Sequence, residues 1–576
     1  MTESYRAISR RKLLALMGAS AVTTLAVGCG SSDEPNTGAP NQAPDAQFRH
    51  GVASGEPLPD AVVIWTRVTP FAEAVPGSGL GGPVDVVWEV ATDAGFSDVL
   101  RQGRVTARAA QDHTIHVDVT GLQPDTSYWY RFKAGSRTSP VGRTRTAPAA
   151  NASPESIRFG MVTCAEWEFG FFAAYRHLAE RDDIAAVLHM GDYIYEFGTS
   201  YGPVATPGQD FGRVHEPAHD IVSLADYRIR YGQYRSDPDL QAMHARHPVI
   251  TIYDDHEIAN DWWREGAENH DTATQGEFLA RLAAGLQAWR EWQPLRVFSA
   301  SDPLRAWRHM QFGDLIDMWM VDTRLYRDQQ PANAIVGYGS VDPVVDSPTR
   351  TMLGTEQRDW LIQGLSSSSA QWKVMTNQIP FYPFVLGAAL PSALANLLAP
   401  TQGTLPPLPA PLTVEDWNGY RFEQRTLINT MKATDNVIVL TGDYHESFAA
   451  EVPERTGDYL LDGNSVAVEF ICPSVTSPGL SETLGRLGLD STGLPLSPTI
   501  DVVFKTNLAL ANPWVKYHEG VSNGFTVFEV SRERTQFDYW FLADRTNPES
   551  PANHAASWEV RAGASKLFAV AQPLAT

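Results

Sequence analysis

Apolar and polar positions divide this chain into two patterns. From residue 48 to about 147, short stretches alternate between the two kinds of side chain: "AVVIWTRV" (61–68), "VDVVWEVA" (84–91), "HTIHVDV" (113–119) and "SYWYRFKAG" (127–135). Such stretches, with turn residues between them, predict an all-β region. From residue 157 the pattern changes to apolar runs of strand length separated by helical stretches, 171–182 being the first. Each run ends in polar chemistry. "IRFGMVT" leads into Cys164, "IAAVLHM" into Gly191 and Asp192, and "HPVITIY" into Asp254, Asp255, His256 and Glu257. "LIDMWMV" leads into Asp322, Thr323 and Arg324, "WKVMT" into Asn377 and Gln378, and "NVIVLT" into Asp443 and His445. This alternation predicts α/β layers, in which ligands gather beyond the carboxyl ends of the strands.

The stretch "RTAPAANASPES" (145–156) reads as the linker between a β-domain at 48–147 and an α/β domain at 153–565, with a short tail at 566–576. In the first domain, the run from Gly121 to Thr126 ahead of Tyr128 and Tyr130 is similar to the corner of an immunoglobulin or fibronectin-III sandwich. The aromatic residues there read as core. Two loops look like insertions. One, at 199–220, is Gly/Pro-rich; the other, at 386–413, is apolar and Pro-rich. The second either covers a pocket, faces a membrane or partner, or packs as a surface excursion.

The first 29 residues read as an address. Ser9-Arg10-Arg11-Lys12-Leu13-Leu14 is a twin-arginine pattern, and the apolar stretch after it is too brief to span a bilayer stably. It ends Leu25-Ala26-Val27-Gly28-Cys29, which resembles a lipoprotein box, with Ala26 where such boxes usually carry Leu. The expectation is export by the twin-arginine route to the periplasm or cell surface, with Cys29 as a lipid anchor. A signal of the ordinary secretory kind, cut elsewhere, is the other reading. The twin-arginine route carries folded proteins, so metal can be loaded before export. Residues 30–47 are rich in Ser, Pro, Asn and Gly and read as a flexible tether.

At 576 residues the chain is too long for one core; it is 43% hydrophobic and 19% charged, as folded soluble proteins are. A net charge of −22 excludes a nucleic-acid backbone as partner, because that partner needs basic clusters. Three cysteines, Cys29, Cys164 and Cys472, are too few for a disulfide scaffold. Cys164 and Cys472 are able to pair, but their neighbourhoods suggest different roles, and Cys472 reads as a buried thiol.

The ordered set of GD-x-x-Y (191–195), DDHE (254–257), Asn377-Gln378 and GD-x-H (442–445) resembles the calcineurin-like metallophosphoesterases, and more closely the alkaline phosphatase D (PhoD-like) family. "FRHGVASGEPLPDAVVIWTRV" (48–68), "YRIRYGQYRSDPDLQAMHARHPVITIYDDHEIANDWW" (227–263), "VDTRLYR" (321–327), "NQIP" (377–380), "DWNGY" (416–420) and "EFICPSVTSPG" (469–479) carry the same resemblance. It covers nearly the whole mature chain. It implies a layered αββα metallophosphatase sandwich behind the β-domain, and Cys164, Asp192, Tyr195 and His445 around Fe(III). Cys164 stands where the broader superfamily begins with Asp-x-His. Two-metal phosphoester cleavage needs a shared carboxylate, and Asp192 is read as that bridge. Oxygen ligands are expected at the second position, from Asp255 first and then Asn377 and Asp443. The resemblance implies Ca(II) there, with manganese, magnesium or zinc as alternatives.

His256 is read as protonating the leaving group or holding the phosphate, with a second role as a core histidine left open. Arg324 is read either as a bidentate phosphate clamp or as a structural ion pair. Glu257 reads as an orienting group, His189 as a satisfied strand-end histidine, and Trp262 and Trp263 as packing around the site. Tyr193 has no evident ligand role. The resulting expectation is a monomeric exported enzyme in which a metal-bound hydroxide attacks a phosphate mono- or diester. A phospholipase or phosphodiesterase on the same site, and a non-catalytic lipoprotein with a structural metal, are the alternatives.

Overall fold

The computed structural model describes residues 46–201, 204–296, 304–331, 343–386, 410–411, 414–484, 505–506 and 508–575. The signal, most of the tether and almost all of the 386–413 insertion lie outside the described residues. Among the described residues no helix is long and apolar enough to cross a membrane.

Two large sheets stack face to face. In the seven-stranded sheet the order is 308–312, 316–320, 372–377, 437–441, 465–471, 447–453 and 515–519. The runs 316–320, 372–377, 437–441 and 465–471 are parallel neighbours. Their period of two explains why apolar residues occupy both faces of these strands. Trp372 and Val374, like Ile438 and Leu440, face the core between the sheets. Met375, Val437 and Val439 face a second core under the helices Gly354–Ser367 and Arg421–Lys432. A strand covered on both faces has no polar side left to write into its sequence.

The opposing sheet is parallel through 156–162, 186–189 and 248–251 and is covered on its outer side by helices Ala173–Ala179, Leu224–Tyr234, Pro238–Arg246 and Phe278–Trp292. Helix, sheet, sheet, helix gives the expected αββα order. Aromatic residues bridge the two sheets: Phe537 stacks on Phe528 at 4.5 Å and on Phe470 at 4.0 Å. Two of the outer helices start where the chain carries its caps. Ser223 and Asp226 form a reciprocal capping box, and Asp237 caps a helix with Pro238 in its first position.

The N-terminal strands form the sandwich read from their alternation, but they do not form a separate body. One face is the sheet of 84–91, 99–107, 127–134, 137–138 and 142–145. The other face, 52–55, 61–67 and 114–120, continues the opposing sheet, which has ten strands in all, with 52–55 parallel to 248–251. Val52, Ile64 and Val119 from that face share a core with Val86, Tyr130 and Phe132 from the other. Tyr128 accepts a hydrogen bond from the Gln123 N–H (2.8 Å) across the corner. The change of pattern at 147–153 therefore marks a change of role, and hydrogen bonding runs across it. The tail is likewise built in: Leu567–Val570 is the far edge strand of the same sheet.

Candidate metal centre

The strand ends that carry polar residues converge. Cys164, Asp192, Asp443 and His445 all take positive φ (57°, 54°, 67° and 59°). Left-handed backbone costs a non-glycine residue of order 1–3 kcal/mol, and it persists where the surroundings over-determine it. Here the turn after each strand curls its side chain back over the sheet's end. Two glycines let the loops approach. A Cβ on Gly191 (φ 103°) would lie 2.5 Å from the Asp254 Cβ, and one on Gly442 would lie 2.5 Å from the Thr163 hydroxyl.

Three groups of ligand-type atoms result, each with members within 4.8 Å of one another: Cys164, Asp192 and His445; Asp192, Asp255 and His256; and Asp254, Asp255 and Asp443. Asp192 belongs to the first two groups and Asp255 to the last two, so the three are contiguous. The first is closed by Tyr195, whose hydroxyl lies 3.2 Å from Asp192 Oδ2 and 3.1 Å from His445 Nε2 and accepts from the Ser477 hydroxyl at 2.7 Å. Cys164 Sγ lies 3.4 Å from Asp192 Oδ2. The His445 Nδ1–H donates to the Pro478 carbonyl (2.9 Å), which turns the Nε2 lone pair toward Tyr195. Burial pushes His445 down to about 4, so the ring is neutral at physiological pH.

The residues fit cations. Asp254 Oδ2 and Asp255 Oδ1 are buried and make no hydrogen bond. Burial, then the neighbouring carboxylates, push Asp443 well above the usual carboxylate range. Asp192 is also pushed well above it, by burial and by Asp255, Asp254 and Glu257, despite His256. Burial and Asp192 raise the Cys164 thiol well above its ordinary value. Crowded acids that resist ionisation in this way are acids short of positive charge, which a metal supplies. The first group, with sulfur, phenol and imidazole, suits a trivalent or borderline transition metal; the third, all carboxylate, suits a hard divalent ion.

Around the cage the remaining residues sort themselves. Glu257 accepts the N–H groups of Asp192 (3.1 Å), Tyr193 (2.7 Å) and Asp254 (2.8 Å), so it orients the ligand-bearing turns, as its sequence position suggested. The His256 Nδ1–H donates to Glu196 Oε2 (2.7 Å), and its backbone N–H faces Asp192 Oδ1 (3.4 Å). Burial works against its charge, yet Glu196, Asp255 and Asp192 hold the imidazole well above its usual range. Arg324 is fully buried, with Nε on Asp254 Oδ1 (2.5 Å) and Nη1 on Glu415, while Nη2 stands 3.5 Å from both Asp255 and Asp443. A bidentate clamp is therefore not open to Arg324: two of its nitrogens are committed, and only Nη2 makes no hydrogen bond. Burial opposes ionisation of Asp255, but Arg324 and His256 outweigh it and hold that carboxyl below its usual range.

Asn377 ends its strand beside Thr441, two residues before Asp443. Its amide oxygen accepts from the Trp417 indole (3.1 Å) and its nitrogen donates to the Ile379 carbonyl. Tyr193 turns away to His244 (2.9 Å), and His189 bonds to the Tyr175 hydroxyl (2.9 Å). Trp262 is buried and donates to the Asp254 carbonyl (3.2 Å). Cys472 and Cys164 are unpaired, and Cys472 points to the Met161 carbonyl (3.2 Å). Sequence reading missed Asp254 as a ligand-range acid, Glu196 as the partner of His256, and Glu415 as the partner of Arg324. Asp254 stood among the residues named at a strand end, Glu196 directly follows GD-x-x-Y, and Glu415 lies one residue before "DWNGY".

Comparison with known proteins places the chain in a family. Residues 159–539 match the PhoD-like phosphatase family, and residues 33–148 match the PhoD-like phosphatase N-terminal domain. The chain is 36% identical over 486 residues to alkaline phosphatase D of Bacillus subtilis (strain 168), covering 82% of this chain and 76% of that protein. The solved structure of PhoD superposes with a TM-score of 0.76 at 31% identity, covering 93% of this chain and 94% of that one. The chain belongs to the PhoD-like phosphatases, a family of phosphoric ester hydrolases.

Proposed function

We propose that this protein is an exported, metal-dependent phosphoesterase of the alkaline phosphatase D type. The observation that carries the proposal is the sharing of Asp192 between two adjoining ligand groups, with buried, unsatisfied oxygens on Asp254 and Asp255 beside it. Cys164, Asp192, Tyr195 and His445 would hold Fe(III). Asp255, Asp443 and Asp254, with the second lone pair of the Asn377 oxygen, would hold a hard divalent ion, Ca(II) in this reading. When bound, the two cations supply Lewis acidity toward the phosphoryl oxygens and a nucleophilic water at working pH.

The protein's own residues do the rest. His256, kept protonated by Glu196 and its carboxylate neighbours, delivers a proton to the departing alkoxide, a contribution on the order of 10²–10⁴-fold. Arg324 balances the carboxylates through its paired nitrogens and faces the developing phosphoryl charge through Nη2 alone. Glu257 and Ser477 hold the ligands in place. The substrate is a phosphate mono- or diester, and the chain acts as a monomer. It leaves the cytoplasm by the twin-arginine signal and is held at the membrane by a lipid on Cys29.

The test is elemental analysis and visible spectroscopy of the purified protein, alongside hydrolysis of p-nitrophenyl phosphate and bis-p-nitrophenyl phosphate. Iron with a tyrosinate charge-transfer band, and activity lost in Asp192→Asn with folding retained, are expected. A wild type without iron, or an active Asp192→Asn variant, overturns the assignment. The ratio of the two rates decides between monoesterase and diesterase. Replacing Arg10 and Arg11 with lysine is expected to keep the precursor inside the cell.

A further inference from the structure

The residues just past Cys164 build another polar pocket, which the chemistry above does not use. Glu166, Glu168 and His215 are each 1% exposed, and one ligand-type atom from each lies within 4.8 Å of the other two. Glu166 caps a short turn at 167–169, while His215 comes from the Gly/Pro-rich loop at 199–220. The His215 backbone N–H donates to Glu168 Oε1 (2.8 Å), and the Thr206 hydroxyl donates to Glu168 Oε2.

Among the described residues, no lysine or arginine lies within ion-pair distance of either glutamate. Arg213 bonds through Nη1 to Asp237 (2.9 Å) and through Nε to the Trp167 carbonyl (3.1 Å), and its Nη2, buried and making no hydrogen bond, is beyond ion-pair distance of both glutamates. Arg230 spends its donors on the backbone carbonyls of Tyr195, Phe197, Glu216 and Pro217. A buried carboxylate without a partner is costly, and one atom shows where the deficit lies. Glu166 Oε1 accepts the Glu168 N–H (3.2 Å), but Oε2 has no hydrogen-bond partner and stands 3.5 Å from His215 Nε2. The His215 Nδ1–H donates to the Gly198 carbonyl (2.9 Å), which leaves Nε2 as the lone pair; that lone pair faces Glu166 and accepts from the Tyr234 hydroxyl at 3.2 Å. A ring fixed by a backbone carbonyl at one nitrogen offers the other to a cation once the Tyr234 hydroxyl, which also accepts the Trp167 N–H (3.0 Å), turns its proton away.

We propose that Glu166, Glu168 and His215 hold a divalent first-row transition cation that ties the 199–220 loop to the turn following Cys164. Two carboxylates and one imidazole suit zinc or manganese. The site lies outside the three ligand groups of the reacting centre. It takes no part in the reaction and is filled as the chain folds, since no ligand is reachable from solvent afterwards. The competing account puts a proton on Glu166, which burial and Glu168 push up to about 8.

Diffraction from crystals of the wild-type chain, collected at the zinc and manganese absorption edges, separates the two accounts. The proposal expects an anomalous peak about 2.0–2.2 Å from each of the three side chains. It also expects Glu166→Gln and His215→Asn to carry one first-row ion fewer per chain by mass spectrometry and to melt at a lower temperature. If a proton does the work, Glu166→Gln, which mimics the protonated acid, keeps both its metal count and its melting temperature. That result, or a wild-type map without the peak, overturns the proposal. Because the map needs no variant, a variant that fails to fold leaves the test decisive.

Discussion

The two ends of the metal centre are built on different principles. Around Cys164, Asp192, Tyr195 and His445, donors and acceptors already answer one another: Ser477 to Tyr195, Tyr195 to Asp192, and His445 to the Pro478 carbonyl. Around Asp254, Asp255 and Asp443, oxygens are left unmatched and a buried guanidinium carries the compensation. The first end is shaped by hydrogen bonds and holds its geometry by itself. The second is shaped by charge and, in the proposed reading, is settled by a cation. The difference teaches where loss of metal should be felt as loss of activity and where as loss of stability.

Asp192 belongs to both ends, so Asp192→Asn should break the comparison outright. We expect kcat to fall on the order of 10³-fold or more, with metal lost from both positions, as read by steady-state kinetics and elemental analysis. Arg324→Met strands Asp254, Asp255 and Asp443 without their counter-charge, while Glu415 keeps Arg327, and breaking a buried pair from one side costs about 3–5 kcal/mol. Denaturant titration in the presence of chelator should show that loss, and added calcium should recover part of it.

A pH series sharpens the contrast. In the metal-free chain burial pushes Asp254 and Glu257 up to about 7, from ordinary values of 3.8 and 4.5. Asp192 and Asp443 move the same way. An acid whose folded pKa lies above its unfolded one stabilises fully below the unfolded value and loses that contribution as pH rises through the folded value. Asp255 and Glu196, both facing His256, oppose the trend. Stability of the chelated protein should therefore fall from about pH 4 to above pH 7, while the metal-loaded protein stays level over that window, as followed by thermal melts. Smaller effects belong to the self-held end. Tyr195→Phe should abolish the visible band with little change in melting temperature. Ser477→Ala, one bond further out, should weaken iron retention about tenfold in competition with a chelator.

Strand ends were the legible part of the centre. Cys164, Asp192, Asp255, Asp443 and His445 each follow an apolar run that can only be a buried strand, and the layered fold places such ends together. Partners contributed from elsewhere were harder to read. Glu415 reaches Arg324 from 91 residues away, and nothing local marks it. Glu196 directly follows GD-x-x-Y, but only the folded turn shows that it accepts the His256 Nδ1–H. Arg324 was read both as clamp and as ion pair because a side chain's commitments are tertiary facts. The alternation at 48–147 yielded a sandwich. It could not show that one face of that sandwich extends another sheet, because that depends on pairing between 52–55 and 248–251, far apart in sequence.

That pairing has a consequence for synthesis. Val52–Gly55 leaves the ribosome about 190 residues ahead of Pro248–Thr251, its parallel neighbour. At about 5–20 residues per second the early strand waits roughly ten to forty seconds with one side unmatched. During that interval it is an open edge of the kind on which another chain can pair, and the completed sheet removes it.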